Sequence, residues 1–499
     1  MSCAFVLTSM LQWGCAPPDP SETRAENTFL LVNPPRGYTW TIPGQSSTGG
    51  TTVVGFTGAT TGNALRVYRW SAEGSDRGGM TWLQPPGVDP TGPCNVLTVG
   101  LSADGRAVLG TTYHEPRNTL FLWTAADGMT DLGEIPGQNA RDLRLRISRD
   151  GRVVMAAGDG QVFRWTRAEG RIPLATLAGD VASDATSMSA DGRVIAGDAR
   201  RADGSSRVFR WSAATGLRAI DPVPGTSFCH TFGQLSDDGK VLFGSCVRDA
   251  GQISAPELMA TGDGTAAPVE TLFRWTESGG TELIAIPAGF ASAHPWGATS
   301  DGDTLVGMLD AAPAEATVSA ASASLFRWTK SAGLVALVPP RGFSDCSSPQ
   351  AMSADGAVVV ATCRCGAAST AVKWDAQGRA VPLDRPAGFA ESHPTSVSGD
   401  GHLVAGFVRQ RAGTTEKDAI DVAVVWDDQG SSDLSAGSTG SARAQRVEDL
   451  VRAKEIPTAN VDVGHLRMSS AEAAADGHTL FGQAVDGYGH PVTWIARWP

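Results

Sequence analysis

Nine tryptophan-ended segments recur along the chain, and this repetition limits the possible folds more than any other feature. The tripeptide Phe-Arg-Trp occurs four times, and five related tripeptides end in the same Trp. The nine residues are Trp70, Trp123, Trp165, Trp211, Trp275, Trp328, Trp374, Trp426 and Trp494. Repetition at such intervals is typical of propellers and solenoids, in which one structural unit is stacked many times.

A second repeated signal, Ser-x-Asp-Gly, precedes an alternating apolar run in most units. Six full copies begin at Ser102, Ser148, Ser189, Ser236, Ser353 and Ser398, with degenerate copies at 47–50, 299–302 and 474–477. Asp-Gly predicts a tight hairpin, because Gly accepts positive φ and Asp bonds its own backbone. We therefore interpret Asp104, Asp150, Asp191, Asp238, Asp355 and Asp400 as turn formers rather than acids or metal ligands.

The spacing within a unit predicts four short strands. Only 14 residues separate Gly151 from Trp165, which leaves no room for a helix. We expect each unit to begin with a short strand, as at 173–174 or 283–284, and to end with the Phe-Arg-Trp strand. This predicts an all-β, single β-propeller of eight or nine four-stranded blades, with a parallel β-solenoid as the alternative. Each repeated Trp should fill the layer between two blades and bury roughly 150–250 Å².

Composition and charge exclude several classes of protein. The chain of 499 residues has 59 Gly, 29 Pro and 41% hydrophobic residues, which disfavours both disorder and a helical fold. With 40 Lys+Arg against 52 Asp+Glu, its net charge of −12 argues against a nucleic-acid partner. One short helix is predicted within 441–454, where Val447, Leu450 and Val451 follow helical spacing.

The N-terminus predicts export. Residues 3–14 are mostly apolar and end before Cys15, which is typical of a lipoprotein signal and is too short to span a bilayer. We predict a signal segment at 1–15, a flexible linker at 16–27 and the propeller at 28–499. Cleavage without lipid attachment, or a buried apolar strand, are the alternatives. The protein would be outer-membrane-anchored, at the cell surface or extracellular, and would touch membranes only through a lipid on Cys15.

Two cysteine pairs have identical spacing around an Asp-Gly hairpin. Cys229 and Cys246 lie ten residues before and seven after Gly239, and Cys346 and Cys363 lie likewise around Gly356. Facing positions of a hairpin bring Cβ atoms close enough for a disulfide. We predict the disulfides Cys229–Cys246 and Cys346–Cys363, in keeping with an oxidising compartment. Cys94 and Cys365 are expected to be free or paired with each other.

Three histidines are the candidate binding residues. His230, His294 and His393 each lie eight or nine residues before their hairpin glycine, so they should occupy nearly the same place in three blades. A half-exposed position that tolerates His is the alternative interpretation. Motifs for zinc hydrolysis, nucleotide phosphates, a serine nucleophile or calcium are absent from the sequence, so no catalytic residue, metal or cofactor is predicted.

The repeat resembles the HAF-repeat extracellular proteins of bacteria, which carry Ser-x-Asp-Gly-x-x-Val-x-Gly runs followed by Phe-x-Trp. The resemblance covers residues 28–499, and the C-terminal stretch from Val447 through 475–477 to Trp494 is similar to the way these proteins end. It implies secretion or a surface location and supplies no activity.

These features favour a secreted or surface-anchored binding module that is monomeric and meets an unknown protein or carbohydrate ligand. A propeller-fold glycosidase or lyase, and a structural envelope component, are the alternatives. The long segments 247–270, 309–323 and 409–421 should share one face with the three histidines, opposite the Asp-Gly hairpins. Variable loops on a rigid scaffold commonly carry binding residues.

If Cys15 is the lipid acceptor, metabolic labelling with a fatty-acid analogue should modify the wild type and should not modify Cys15→Ala. Cys3→Ala, which changes another cysteine of the same segment, should keep the label. Equal labelling of the wild type and Cys15→Ala would contradict the assignment. Ala16 beside the cysteine favours the outer membrane, which fractionation of the labelled protein would check.

Overall fold

A computed structural model gives the architecture. It describes residues 28–498 apart from 59–64, 73–78, 84–94, 115–116, 136–142, 222–224, 249–269, 312–322, 412–418, 428–443 and 459–460. The described strands form a nine-bladed, all-β propeller with antiparallel blades. The prediction of a propeller is therefore confirmed, and the ring has nine blades rather than eight.

Blades 1 to 4 are built from sixteen consecutive strands. Blade 1 is β2 (Trp40–Ser46), β3 (Thr52–Gly58), β4 (Leu65–Ser71) and β5 (Gly79–Leu83). Blade 2 is β6 (Asn95–Leu101), β7 (Ala107–His114), β8 (Arg117–Thr124) and β9 (Gly128–Glu134). Blade 3 is β10 (Arg144–Ile147), β11 (Val153–Gly158), β12 (Gln161–Thr166) and β13 (Gly170–Leu174). Blade 4 is β14 (Asp180–Met188), β15 (Val194–Arg201), β16 (Ser206–Ser212) and β17 (Gly216–Ala219).

Blades 5 to 8 repeat the same order. Blade 5 is β18 (Thr226–Leu235), β19 (Val241–Arg248), β20 (Glu270–Thr276) and β21 (Gly280–Ile284). Blade 6 is β22 (Phe290–Ala298), β23 (Thr304–Ala311), β24 (Ala323–Thr329) and β25 (Gly333–Leu337). Blade 7 is β26 (Ala351–Met352), β27 (Val359–Cys365), β28 (Ala368–Trp374) and β29 (Ala380–Pro382). Blade 8 is β30 (Glu391–Val397), β31 (Leu403–Arg411), β32 (Ala419–Asp427) and β33 (Ala444–Arg446).

Blade 9 closes the ring by joining the two ends of the described chain. Its innermost strand is broken into β34 (Arg467–Met468) and β35 (Glu472–Ala473), which both pair with β36 (Thr479–Val485). β37 (Pro491–Arg497) follows, and the outermost strand is β1 (Thr28–Val32). β1 pairs with β37 from Thr28 opposite Arg497 to Val32 opposite Thr493.

The blade begins one strand later than we predicted for the repeat. The short strand that we expected to open a unit instead pairs with the Phe-Arg-Trp strand before it, as Pro173 does with Phe163. It is therefore the outermost strand of the preceding blade. In blade 9, β1 supplies the fourth strand.

Alternating strand direction gives the ring two faces. The Asp-Gly hairpins and the turns between third and fourth strands lie on one, called here the hairpin face. Connections between second and third strands, and between consecutive blades, lie on the other, the connection face. Strands β19, β23 and β31 extend into the insertions predicted at 247–270, 309–323 and 409–421, and most of the remaining residues lie outside the described part.

Each Asp-Gly hairpin is held by the side chains of its own motif. In blade 4, Ser189 Oγ donates to Asp191 Oδ1 (2.7 Å) and accepts from Val194 N (2.9 Å). Asp191 Oδ1 also accepts from Arg193 N, and Gly192 has φ of +69°. The same contacts recur in blades 2, 3, 5, 7 and 8. These contacts confirm that the aspartates form turns.

A chain of backbone hydrogen bonds links one hairpin to the next. The residue between Ser and Asp donates its N–H to the carbonyl of the equivalent residue in the following blade. Seven such bonds run Thr48–Ala103, Ala103–Arg149, Arg149–Ala190, Ala190–Asp237, Asp237–Ser300, Ala354–Gly399 and Gly399–Ala475, at 2.7–3.0 Å. An ion pair between Arg149 and Asp237 also joins blades 3 and 5. The hairpins therefore encircle the channel in a fixed order.

The basic residue of Phe-Arg-Trp fastens its blade to the next hairpin. Arg164 Nε donates to Gly192 O (3.1 Å), and the same guanidinium lies over the ring of Trp211, 5.8 Å from its centroid. Equivalent donors reach the next hairpin glycine from Arg69, Arg210, Arg327 and Lys373. A charged donor bonded to a carbonyl and stacked on an indole is favourable at such a partly buried place.

Nine apolar clusters fill the nine interfaces between blades. Each combines side chains of two neighbours, as when Phe163 and Trp165 of blade 3 pack with Leu109 and Leu122 of blade 2. The other eight clusters are built likewise, including the one between blades 9 and 1. The expectation that the repeated tryptophans fill the layer between blades is confirmed.

The predicted helix is present but shorter than expected. α1 spans Val447–Ala453 and buries Val447, Leu450 and Val451 in the cluster between blades 8 and 9. The residues just before it form β33, because their backbone pairs with β32. A short 3-10 turn follows at Val463–His465. None of the helices in the described part of the chain has the length and apolar character that crossing a bilayer requires.

Both predicted disulfides, Cys229–Cys246 and Cys346–Cys363, are present. Cys229 and Cys246 face each other across β18 and β19, as the spacing required. Cys365 is an exposed free thiol, and Cys94 lies outside the described residues. Two disulfides indicate an extracellular or periplasmic environment.

The close packing of a hairpin glycine on the preceding blade can be tested with Gly239→Ala. A Cβ on Gly239 would lie 2.6–2.7 Å from Val194 of blade 4, at a φ of +71°. We expect the variant to lose about 2–5 kcal/mol of unfolding free energy, measured by chemical denaturation. Gly216→Ala is the control, because its φ is +65° with no atom within 4 Å. It should lose only about 1–2 kcal/mol, and equal losses would contradict the packing role.

Candidate functional site

The three predicted histidines occupy one equivalent position on the innermost strands. In blades 3, 4, 5, 6 and 8, the sixth residue after the hairpin glycine pairs with this position. The pairs are Arg144–Ala157, Asp184–Asp198, His230–Ser245, His294–Met308 and His393–Phe407. Arg144, Asp184 and His294 are exposed, and His230 and His393 are half-buried. Five blades thus present ionisable side chains at one level of the ring.

This level lies toward the connection face, because it is several residues before each hairpin along the innermost strand. Neighbouring blades cover both faces of an innermost strand, so an accessible side chain there opens to the central channel. The histidines belong to blades 5, 6 and 8, and the partners described next lie within each histidine's own blade.

His294 is exposed and bonded to a carboxylate. Its Nε2 lies 2.7 Å from Asp310 Oδ2 and 3.2 Å from Ser292 Oγ, and Ser292 Oγ donates to the same carboxylate oxygen (2.6 Å). A serine nucleophile needs its histidine to contact Ser through one nitrogen and Asp through the other. Here both contacts involve Nε2, so the group has the residues of a catalytic triad without its geometry.

His393 lies in a more enclosed cluster. Its ring stacks on Phe407 at 4.9 Å, and its Nε2 is 3.4 Å from Glu391 Oε2. Burial lowers the pKa of His393, although Glu391 opposes this shift. Arg409 lies over Phe407 and holds Asp421 through two hydrogen bonds of 2.7 and 2.9 Å. These charges are paired within blade 8, which gives the cluster a structural explanation.

His230 contacts Ser245 Oγ through Nε2 (3.2 Å) and meets the ring of Phe232 edge-on, at 4.7 Å. The next residue, Thr231, is hydrogen-bonded to blade 4 by its hydroxyl, 2.7 Å from Thr186 Oγ1. Arg146 of blade 3 donates from Nη2 to Thr186 O (2.9 Å). Blades 3, 4 and 5 are therefore tied together along the channel wall beside His230.

Two acidic residues of blade 4 face each other beside this contact. Asp184 and Asp198 are cross-strand partners, and Asp198 Oδ1 accepts from Thr231 N (2.9 Å). Burial raises the pKa of Asp198 to about 7, with a further increase from Asp184, although hydrogen bonds from Thr231 oppose it. Burial likewise raises the pKa of Glu472 in blade 9 to about 7. Both carboxyl groups therefore take up protons near neutral pH.

Among the residues that the structure describes, no group of three or more His, Cys, Asp or Glu side chains is arranged to hold a metal ion. Cys15 and most of the long connections lie outside those residues.

Sequence reasoning missed Asp198 and the aromatic residues Phe232 and Trp296 on the innermost strands. Asp198 could have been found by counting six residues from Gly192. Phe232 and Trp296 follow His230 and His294 by two residues in each case. That shared offset was the available signal.

Comparison with known proteins supports the fold alone. No family model matches the chain, and no curated protein matches it in sequence. It is similar in structure to a dipeptidyl peptidase 4 of Porphyromonas gingivalis, with a TM-score of 0.52 and 12% identity over 92% of this chain. The match covers 64% of the peptidase. An oligogalacturonate lyase in complex with manganese matches with a TM-score of 0.42 and 13% identity, over 95% of this chain and 98% of the lyase.

The raised pKa of Asp198 predicts a specific pH dependence. The folded state binds more protons than the unfolded state between about pH 4 and 7, so this group's contribution to stability falls as pH rises through that range. Asp198→Asn removes the buried charge and should raise the unfolding free energy by roughly 2–4 kcal/mol more at pH 8 than at pH 4. Denaturation at both pH values measures the difference.

Asp203 provides the matched control for that measurement. Hydrogen bonds from Ser205 lower the pKa of this exposed carboxyl. Asp203→Asn should therefore shift stability in the opposite direction, with any loss greater at pH 8. An Asp198→Asn variant that is less stable than wild type at pH 8 would contradict the prediction.

Proposed function

We propose that this protein is an exported binding module whose ligand enters the channel from the connection face. The observation that carries the proposal is the difference between two levels of the ring. At the hairpin level, the same Ser, Asp and Gly recur with the same hydrogen bonds. At the level of His230 and His294, the side chains differ in charge and size from blade to blade.

The hairpin residues are the same in most blades, which indicates a role in the fold. The side chains at the level of His230 and His294 differ between blades, which indicates a role in binding. A position that only maintains the fold would be expected to repeat with its neighbours, as the hairpin motif does. Binding sites combine a concave surface with a few convergent polar groups. The exposed side chains of Arg144, Asp184 and His294 meet the second condition, and the channel supplies the first.

Membership of the HAF-repeat family and a lipid on Cys15 are parts of the same proposal. The two disulfides support the exported location. A lipid anchor would hold the propeller at the outer membrane. The ligand would be a protein or a carbohydrate, and the ring would act as a monomer.

A glycosidase or lyase is the second candidate, and the Asp184–Asp198 pair is the observation that favours it. Many glycosidases use two carboxyl groups, one of them an acid with a raised pKa. Asp198 has the raised pKa, and Asp184 is its cross-strand neighbour. However, Asp198 already accepts a hydrogen bond from Thr231 N, which fixes it in the blade interface. Loss of hydrolysis in Asp184→Asn, with ligand binding retained, would favour the enzyme.

Deletion of residues 250–268 tests which face meets the ligand. This segment connects β19 to β20, whose adjoining ends lie at the connection face. The mature protein would be screened on a glycan array and by pull-down from cell-envelope fractions. We expect the deletion to leave the fold intact, because shortening a loop costs little, and to weaken binding to the ligand found by at least several-fold.

Arg193→Ala and Lys240→Ala are the controls, because both side chains are exposed on the hairpin face. They should bind as the wild type does. Unchanged affinity after the deletion, with binding abolished in the hairpin variants, would assign the ligand to the other face. Failure of the wild type to bind in either screen would favour a structural envelope component.

A further inference from the structure

The innermost strands of six blades carry a bulge just before the hairpin. Their pairing skips residues between Pro43 and Gln45, Thr98 and Gly100, Ala185 and Ser187, Thr231 and Gln234, Pro295 and Gly297, and Pro394 and Ser396. A bulged residue leaves the regular ladder, and bulges often re-aim a side chain. In blade 5 the bulge holds two residues, Phe232 and Gly233, and in blade 6 it holds Trp296.

Phe232 and Trp296 are therefore aromatic residues at neighbouring bulges of the channel wall. Both are partly exposed. Because they belong to innermost strands, whose faces are covered by adjacent blades, their accessible parts open to the channel. The other bulges described hold smaller side chains, such as Gly44, Thr186 and Thr395, so this sector of the channel is the aromatic one.

A buried glutamine fixes the two bulges side by side. Gln234 Nε2 lies 3.3 Å from Trp296 O and 3.5 Å from Phe232 O. Its Oε1 accepts from Ala298 N at 2.9 Å. The amide thus uses donors and acceptor together to bridge blades 5 and 6. Gln234 thus fixes the backbone at both aromatic residues, and such preorganisation reduces the entropy lost on binding.

Polar groups surround this aromatic surface. His230 meets Phe232, and the hydroxyls of Thr186 and Thr231 lie 2.7 Å apart on the adjacent wall. Further round, the wall carries two cationic residues, Arg144 and Arg146, and two carboxyl groups, Asp184 and Asp198, and burial raises the pKa of Asp198 to about 7. The sector therefore offers hydrogen-bond donors and acceptors without a large net charge.

The diameter of the ring limits what can enter. Neighbouring hydrogen-bonded backbones lie about 4.8 Å apart, so nine of them form a circle of roughly 43 Å in circumference and about 14 Å across. Backbone and side-chain atoms occupy part of that width. With these dimensions, the ring of hairpins is narrower than a folded protein.

We propose that Phe232 and Trp296, with His230 and Thr186, form a channel site that binds the end of a neutral oligosaccharide. Aromatic faces pack against the apolar faces of sugar rings, while the surrounding donors and acceptors match their hydroxyl groups. The presence of both signs of charge on the wall disfavours a strongly ionic ligand. This inference rests on the proposed binding function and identifies the chemical class of its ligand.

The test uses three neutral probes, maltohexaose, cellohexaose and chitohexaose, titrated calorimetrically into the mature protein. At least one should bind the wild type. Trp296→Ala and Phe232→Leu should each weaken that binding by about threefold to tenfold, since each removes one aromatic contact. Trp82→Ala is the control, because Trp82 is partly exposed on β5, the outermost strand of blade 1, away from the channel. It should bind as the wild type does.

Circular dichroism and denaturation would establish that each variant keeps the fold. Trp296→Phe, which keeps an aromatic ring, should retain most of the affinity. The inference fails if none of the three probes binds the wild type, or if both channel variants bind normally while folded. If the wild type binds none of the three sugars but captures a protein from the cell envelope, the carbohydrate inference is wrong and the proposed binding function is retained.

Discussion

The hydrogen bond from one hairpin to the carbonyl of the next, described at seven of the nine blade interfaces, is the interaction on which the ring depends. It requires the hairpin tip to approach its neighbour closely, which explains the glycine. A Cβ on Gly192 would lie 2.4 Å from Val153 Cβ of the preceding blade. Hydrogen bonds of the Ser and Asp side chains stabilise the turn at the hairpin tip, and the same bonds recur in the following blade. The Phe-Arg-Trp strand also contributes to the contacts between blades. Its Arg donates to the carbonyl of the next hairpin glycine, and its Trp packs in the apolar cluster between two blades.

Local features of the fold were predictable because their signals are short in sequence. Asp-Gly specifies its own turn, the spacing of Cys229 and Cys246 specifies facing positions, and Val447, Leu450 and Val451 specify one helical face. Ring closure was not predictable in this way. Strand β1 carries no repeat motif, and its partner β37 lies at the opposite end of the described chain. The short strand of each unit belongs to the preceding blade through a local pairing with the Phe-Arg-Trp strand, as Pro173 pairs with Phe163.

The candidate site was predictable to a similar extent. Counting back from each hairpin glycine correctly related His230, His294 and His393, because all three strands carry a bulge between the histidine and the hairpin. The second bulged residue of blade 5 accounts for the offset of nine residues there. The same counting could not assign a role to Trp296, because a bulge displaces the residue from the ladder. Asp198 was missed for another reason: burial raises its pKa, against the opposing hydrogen bonds from Thr231 of the next blade. A contact between units is not encoded within either unit.

The bulges also explain how a repetitive ring can carry a specific site. A substitution at the hairpin changes two blade interfaces at once, since the tip bonds forward and packs backward. A bulged residue is relieved of cross-strand pairing, so its side chain can change at less cost to the ladder. Thr395 of blade 8 still bonds blade 9 through Ala471 O, whereas in blade 5 the neighbouring Gln234, rather than the bulged Phe232, makes the bond to blade 6. Because a neighbouring residue makes the hydrogen bond between the blades, the bulged position can carry an aromatic side chain at the channel without weakening the ring.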